Sequence, residues 1–268
     1  MAEPVRADTT VSSRGIIVIA CLLAAAVTAV FACADISTDP KLVASIAMDT
    51  LPYPSIVAHD SLRDSLGIAR PLHGTVYNIQ GTPITSIPIR FRTPDAGAAV
   101  DSVSGYVVGD TARTTPVRLI AVSGSLQAAP DTIYIVPTPD TAIAANATDS
   151  LLYSLSDTTP KLSNPLQLQL LHRAPASASQ PVRSYLVSYR IAYPADTLLA
   201  QLVTRDGARR SILDTTAADG TSARRIRLRI LSLTSARDSV VVIATARYRG
   251  VPVAGMPLRF VLQVKPQP

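Results

Sequence analysis

Gly74-Thr-Val-Tyr-Asn-Ile-Gln-Gly-Thr-Pro-Ile84 and the following Ile87-Pro-Ile-Arg-Phe-Arg92 are the stretch of sequence that decides the fold. In its second part, apolar residues alternate with Pro88, Arg90 and the final arginine. Because successive side chains of a strand point to opposite faces, this period of two predicts a half-buried β-strand. Gly81 marks a turn within the first part. The stretch therefore predicts short strands joined by turns.

The rest of the chain has a composition typical of an all-β protein. It contains 21 Pro and 12 Gly in 268 residues, and it has 4% aromatic residues with no Trp. Apolar runs of strand length lie between proline- and glycine-marked turns. In the second half we expect strands at Leu166–Leu171, Tyr185–Ile191, Leu198–Thr204, Arg225–Leu231, Val240–Tyr248 and Leu258–Lys265.

Length and charge indicate two domains. We expect a first domain at 43–138, a linker rich in Ala, Thr and Asp at 139–150, and a second domain at 151–268. Residues 34–142 carry seven Lys and Arg against ten Asp, a net charge of −3, whereas residues 143–268 carry 16 against seven, a net charge of +9. Opposite signs predict different neighbours for the two domains.

The order of motifs in the first domain resembles a bacterial Ig-like domain of the kind found in tandem in invasin- and intimin-type surface proteins. The phrase Val76–Ile84 matches that family's strand-and-turn signature, and a strand ending in Phe91 follows it. In the second domain, Asp214–Arg224 resembles a family turn, although no clear copy of Val76–Ile84 is present. The resemblance implies two tandem Ig-like β-sandwiches, and it implies no catalytic residues.

An apolar run at Gly15–Ala32 follows a short, weakly basic leader, and together with Cys33 they form a signal peptide or membrane anchor at 1–33. As a helix the run would be roughly 27 Å long, just short of a bilayer core of about 30 Å. Residues 34–42 are a polar spacer. All interpretations of the run place the remaining chain outside the cytoplasm.

Three interpretations of this segment stay open. Val30-Phe-Ala-Cys33 resembles the lipobox of bacterial lipoproteins, which would make Cys33 a lipidation site, although Phe31 stands where a smaller residue is usual. Val30-x-Ala32 or Ala32-x-Ala34 also fits the small-residue pattern of an ordinary signal-peptidase site. The third interpretation is an uncleaved anchor helix with its N-terminus in the cytoplasm.

The exported part lacks the residue patterns of an enzyme or a metal site. Its histidines, His59, His73 and His172, are far apart and have no metal-ligand spacing around them. The one glutamate of the chain is Glu3, in the leader, and the two cysteines, Cys21 and Cys33, allow no disulfide in the exported domains. We therefore expect no catalytic, cofactor-binding or metal-binding residues, and no cofactor.

Five arginines of the second domain form the clearest predicted binding surface. Arg225, Arg227 and Arg229 alternate with apolar residues, and Arg247 and Arg249 alternate in the same way. If these strands are neighbours, five guanidinium groups share one sheet face. Such a face is either simply solvated or docks onto an acidic protein or anionic lipid headgroups. Nucleic acid is not an expected partner, because the residues lack interleaved aromatics.

These observations predict a non-catalytic, membrane-tethered subunit on the periplasmic side of the bacterial cell envelope. We expect it to act as a scaffold or binding subunit that docks on an integral membrane-protein complex, of which respiratory and photosynthetic complexes are examples. The alternative is a cell-surface adhesin-like module, and a third possibility is an accessory domain of an exported enzyme.

The state of Cys33 separates the three interpretations of the leader. We expect mass spectrometry of the mature N-terminal peptide to find a diacylglyceryl-modified Cys33. A Cys33→Ser variant would then keep its leader. An unmodified peptide that begins after residue 32 or 34 would contradict lipidation and indicate simple cleavage, and an intact Met1 would indicate an anchor.

Overall fold

The computed structural model describes residues 42–153, 159, 161–173, 178–194, 200–228 and 239–266. The predicted leader, the apolar run with its expected helix, and Cys33 lie outside the described residues. Within the described ranges the chain contains strands and turns and no helix, so the all-β prediction is confirmed. No helix that could span a membrane occurs in those ranges.

The first sandwich is built from ten strands, most of them short. They are β1 (Val43–Met48), β2 (Ser55–Val57), β3 (Gly74–Asn78), β4 (Pro83–Ile84), β5 (Arg90–Arg92), β6 (Ala98–Val100), β7 (Val107–Gly109), β8 (Val117–Ser123), β9 (Leu126–Gln127) and β10 (Asp131–Val136).

Two sheets face each other in this sandwich. One has the order β1-β3-β4, and the other has the order β2-β10-β8-β5, with β9 paired to β8 and a separate hairpin formed by β6 and β7. Ile46 and Val76 of the first sheet pack in one core with Leu119, Ile133 and Ile135 of the second. In β5 Phe91 is buried between exposed arginines, which confirms the predicted alternation.

The second sandwich contains the remaining strands. They are β11 (Thr141–Ala144), β12 (Thr148–Tyr153), β13 (Lys161–Leu162), β14 (Leu166–His172), β15 (Gln180–Pro181), β16 (Leu186–Tyr193), β17 (Ala200–Val203), β18 (Leu213–Thr215), β19 (Thr221–Leu228), β20 (Ser239–Thr245), β21 (Arg247–Tyr248), β22 (Val251–Pro252) and β23 (Leu258–Pro266).

Its two main sheets are also packed face to face. One follows the order β11-β14-β19-β13, with β15 on β14 and β17 on β19, and the other follows β12-β23-β20-β16-β18. The predicted period of two is present in β14, where Leu166, Leu168 and Leu170 are buried and the glutamines between them are not. Phe260 and Leu262 of β23 fill the core from the opposite sheet.

Both sandwiches are closed by a parallel pair between an early strand and the last long strand. In the first, β2 runs parallel to β10, with Ile56 opposite Ile135. In the second, β12 runs parallel to β23, with Leu151 opposite Val264. All other pairings between the named strands are antiparallel, as in Ig-like sandwiches. The prediction of two tandem Ig-like β-sandwiches is confirmed.

The expected linker at 139–150 is the part of the domain prediction that the strand assignment corrects. β11 pairs with β14 and β12 pairs with β23, so most of this interval belongs to the second sandwich. The connection between β10 and β11 is only Pro137-Thr-Pro-Asp140. The composition was misleading because Ala142 is the only buried side chain of β11, and a single small apolar residue gives no period of two.

The core of the second sandwich can be tested at Phe260, whose side chain is fully buried. Phe260→Ala removes a large apolar group and leaves a cavity, and we expect the free energy of unfolding to fall by about 3–5 kcal/mol. The measurement is urea unfolding followed by circular dichroism. Ile212→Ala, at a side chain that is 61% exposed, is the control and should change stability by less than about 0.5 kcal/mol. Equal losses of unfolding free energy in the two variants would contradict the assignment of Phe260 to the core.

Candidate functional site

The four described members of the five predicted arginines do not share a sheet face. Arg225 and Arg227 lie on β19, whose partners are β13, β14 and β17, and Arg229 lies outside the described residues. Arg247 and Arg249 belong to a separate hairpin made of β21 and β22. The condition for a shared face, that these strands are neighbours, is therefore not met by β19 and β21. Alternation along each strand showed which side of that strand is polar, but not which strands are adjacent.

Arg249 instead joins the two sandwiches by an ion pair with Asp60. Its Nε donates to Asp60 Oδ2 at 3.0 Å, although the two residues are 189 positions apart in the chain. Arg63 Nε donates to the same oxygen at 2.9 Å, and Arg63 Nη2 donates to Oδ1 at 2.7 Å. The Asp60 side chain is only 4% exposed. One buried carboxylate is thus shared between arginines of both domains.

The arginines keep this buried carboxylate charged. Burial by itself raises the pKa of Asp60, because it disfavours the ionised form. The hydrogen bonds from Arg63, Arg249 and the Ser61 backbone N–H act in the opposite direction and prevail. They hold the pKa of Asp60 well below its usual range. The ion pair is therefore present at any physiological pH.

Two tyrosines extend the contact beside this ion pair. The rings of Tyr53 and Tyr185 meet edge to face, with 5.3 Å between their centroids. The backbone N–H of Leu186 donates to the Tyr53 hydroxyl at 3.2 Å, and the Tyr185 hydroxyl donates to the Arg247 carbonyl at 2.7 Å. Burial raises the pKa of Tyr53 to about 12. Both phenols are therefore neutral hydrogen-bonding groups here.

Further contacts hold the domains together on either side. The Arg183 guanidinium lies 4.2 Å from the centre of the Tyr134 ring, and its Nη1 donates to the Thr114 carbonyl at 2.8 Å. At Gly67 the backbones of the two domains approach so closely that a Cβ would lie 2.2 Å from Gly250 N. We call the set Tyr53, Asp60, Arg63, Tyr185 and Arg249 the interdomain clasp.

Arg225 belongs to a second cluster, which was not predicted. It lines a groove of about 840 Å³ together with Arg205, Arg209, Arg210 and Arg224. We call these five residues the arginine groove. Three of them come from the turn that follows β17, where the sequence Arg205-Asp-Gly-Ala-Arg-Arg210 carries a visible excess of positive charge. That run was the available signal, but it lies outside the alternating strands that guided the prediction.

Arg227 and Arg247, two other described members of the predicted set, each donate a hydrogen bond within the chain. Arg227 Nη2 donates to the Gly207 carbonyl, and Arg247 Nη1 donates to the Gly250 carbonyl at 3.3 Å. Neither bond uses the whole guanidinium group, but each limits where the side chain can point. Of the described members of the predicted set, Arg225 lines the arginine groove, whereas Arg247 and Arg249 line a small pocket with Arg63 at the contact between the domains.

The residue types of a hydrolytic triad do not form one in the described structure. His59, Asp60 and Ser61 are consecutive, but Asp60 is bound by arginines and by the Ser61 N–H. His172 Nδ1 lies 2.9 Å from Asp140 Oδ2. Across the described ranges, no group of three or more His, Cys, Asp or Glu is placed to hold a metal ion.

Comparison with known proteins gives only remote structural likenesses. No protein-family model matches the sequence, and no curated protein matches it. Solved structures with similarity include the Yersinia pseudotuberculosis adhesin InvE, at 12% identity over 82% of this chain and 58% of that chain, with a TM-score of 0.29. Domains 4 and 5 of the S-layer protein SbsC match at 11% identity over 83% and 98%, with a TM-score of 0.29.

A third likeness is to domains EC1–3 of protocadherin gamma C5, at 16% identity over 80% of this chain and 64% of that chain, with a TM-score of 0.30. The chain thus spans less than two thirds of the InvE and protocadherin chains it matches. At these TM-scores the likenesses support no conclusion about function, and the fold assignment rests on the strand pairings.

The clasp makes a prediction about pH. Since the folded pKa of Asp60 lies below its unfolded value of about 4, its contribution to stability is complete above that pH and is lost as the pH falls below it. We expect Asp60→Asn to lower the free energy of unfolding at neutral pH by about 1.5–3 kcal/mol. The difference from the unmodified chain should shrink steadily as the pH falls below 4.

The measurement is urea unfolding at a series of pH values. Asp110→Asn is the matched control, because Asp110 is exposed and its carboxylate makes no hydrogen bond or ion pair with the described residues. A pH profile for Asp60→Asn that runs parallel to that of the unmodified chain would show that the clasp does not stabilise the fold through this charge.

Proposed function

We propose that the chain is a non-catalytic, membrane-tethered scaffold subunit that docks on an integral membrane-protein complex outside the cytoplasm. The observation that carries this proposal is the interdomain clasp. A four-residue connection and a shared buried carboxylate hold the two sandwiches in one orientation. A rigid body of this kind can brace a neighbouring protein, because it transmits force and position without bending at a hinge.

The proposed location rests on the N-terminal sequence. The apolar run Gly15–Ala32 is an export signal in each of its three interpretations, and Cys33 is the proposed lipidation site. The second domain carries the positive net charge and the arginine groove, so it is the proposed docking domain. Arg225 is the docking residue retained from the predicted set, whereas Arg249 has its Nε bound to Asp60 inside the protein.

A cell-surface adhesin-like module is the second candidate. It is favoured by the likeness of Val76–Ile84 to the repeat signature of invasin- and intimin-type proteins. The two candidates place the chain differently. A scaffold subunit lies beside its complex beneath the outer surface, whereas an adhesin is presented to the surroundings of the cell.

Purification in mild detergent tests the scaffold proposal. We expect the full chain to elute in fixed stoichiometry with an integral membrane-protein complex and to be released as the salt concentration rises, because exposed charge pairs are screened by salt. Arg225→Ser should be released at lower salt than the unmodified chain. Arg259→Ser, at an exposed arginine of β23, is the control and should be retained normally.

Two results would contradict the scaffold proposal. One is elution of the chain alone after gentle solubilisation. The other is cleavage of the chain when protease is added to intact cells, which would favour the adhesin-like module instead.

A further inference from the structure

We infer that the arginine groove binds an acidic segment of a partner protein, whose carboxylates pair with Arg205, Arg209, Arg210 and Arg225. This inference deepens the proposed function, since it names the docking site and the chemistry of the partner. Binding of an acidic peptide can nevertheless be measured without the membrane complex. A failure of either idea can therefore be recognised separately.

The groove presents positive charge that the described part of the protein leaves unneutralised. Arg205, Arg209 and Arg210 are exposed, and their guanidinium groups make no hydrogen bond or salt bridge with any residue in the described ranges. Two aspartates also line the groove, Asp206 and Asp214. Five arginines against two aspartates leave a local excess of three positive charges, which an anionic ligand would offset.

The turn that carries three of these arginines is held in a fixed shape. The Thr204 hydroxyl donates to Asp206 Oδ1, and that oxygen also accepts from the Ala208 N–H at 3.0 Å. The Thr204 hydroxyl oxygen in turn accepts from the Arg209 N–H at 3.1 Å. Gly207 provides the positive φ of 76° that the turn requires. A preformed turn loses less conformational entropy when a ligand binds.

The opposite wall of the groove comes from β19, which already shows how it recognises a carboxylate. Val203 of β17 is paired with Arg225 of β19, so the turn and the strand are directly connected. The neighbouring Arg224 is buried, and its Nη1 lies 2.9 Å from Asp214 Oδ1. Arg225 is half-buried and lines the groove beside Arg224. The Nε atoms of both arginines are enclosed without a hydrogen-bond partner among the described residues, so Arg225 can meet an anion only through the exposed part of its guanidinium group.

The size of the groove favours a protein segment over a single ion. Its volume of about 840 Å³ lies within the roughly 300–1,000 Å³ that is usual for drug-sized ligands. A small anion would fill only part of it. Arginine forks match the planar carboxylates of Asp and Glu well.

The segment must come from another molecule. The chain contains a single glutamate, Glu3, and no two of its aspartates are adjacent in the sequence. Its own segments therefore provide at most isolated carboxylates. An acidic stretch of a partner protein can offer several carboxylates at the spacing of successive residues, which is the distribution of charge that four arginines around one groove would bind.

The experiment measures binding of a fluorescein-labelled oligoglutamate peptide to the full chain in mild detergent, by fluorescence anisotropy over a salt series. The groove variant is Arg205→Ser/Arg209→Ser/Arg210→Ser, at exposed positions. The control variant is Arg90→Ser/Arg92→Ser/Arg259→Ser, which removes the same charge from exposed positions elsewhere. Phosphatidylglycerol vesicles and inorganic phosphate are tested with the same proteins.

We expect the groove variant to bind the peptide about tenfold more weakly, as the product of roughly twofold per exposed ion pair, and to show a smaller salt dependence. The control variant should lose less than about twofold. Equal losses in both variants would reduce the binding to non-specific charge attraction and overturn the proposal. So would groove-dependent binding to vesicles or phosphate without binding to the peptide.

Discussion

The carboxylate of Asp60 is buried between two arginines, and the relation between the two sandwiches depends on it. Taking a charge out of water is unfavourable, so it persists only where partners and hydrogen bonds compensate for the lost hydration. Here the compensation comes from both domains, Arg63 from the first and Arg249 from the second. If the domains separated, Asp60 would lose the bond to Arg249, and Tyr53 would lose its ring contact. Val57 and Val136 pack in the core of the second sandwich, so the apolar surface around them would be exposed.

The described residues contain no cysteine, so the two sandwiches depend on burial and not on disulfides for their stability. Each sandwich has its own apolar core, built mainly from Val, Leu and Ile, and the few aromatic residues take special positions. Phe91 and Phe260 fill the cores, while Tyr53, Tyr134 and Tyr185 lie at the contact between the domains. Three tyrosines thus lie where the two domains meet, while Val, Leu and Ile make up most of each core around a few aromatic side chains.

The strands were predictable from the sequence wherever one face of the strand is buried and the other is exposed to solvent. Ile87–Arg92, Leu166–Leu171 and Leu258–Lys265 show this alternation, and the structure has strands at Arg90–Arg92, Leu166–His172 and Leu258–Pro266. β11 and β12 were missed because their few buried residues give no such pattern. Contacts between residues far apart in the chain could not be predicted from the sequence. Nothing near Asp60 in the sequence indicates that Arg249 is its partner. The order of strands in a sheet decides whether Arg225 lies beside Arg247 or beside Arg205, and alternation along one strand does not reveal that order.

The parallel pairs that close the two sandwiches have a mechanical consequence. β1 precedes β2 in the chain, and β11 precedes β12. Once these preceding strands have been pulled away, further tension makes the two parallel strands slide along each other and loads their hydrogen bonds together in shear. Antiparallel strands at the ends would instead separate from one end, so that their hydrogen bonds break one after another. β12 and β23 are paired over six residues and β2 and β10 over three. The second sandwich therefore has twice as many paired residues as the first over which the parallel strands can share such a load.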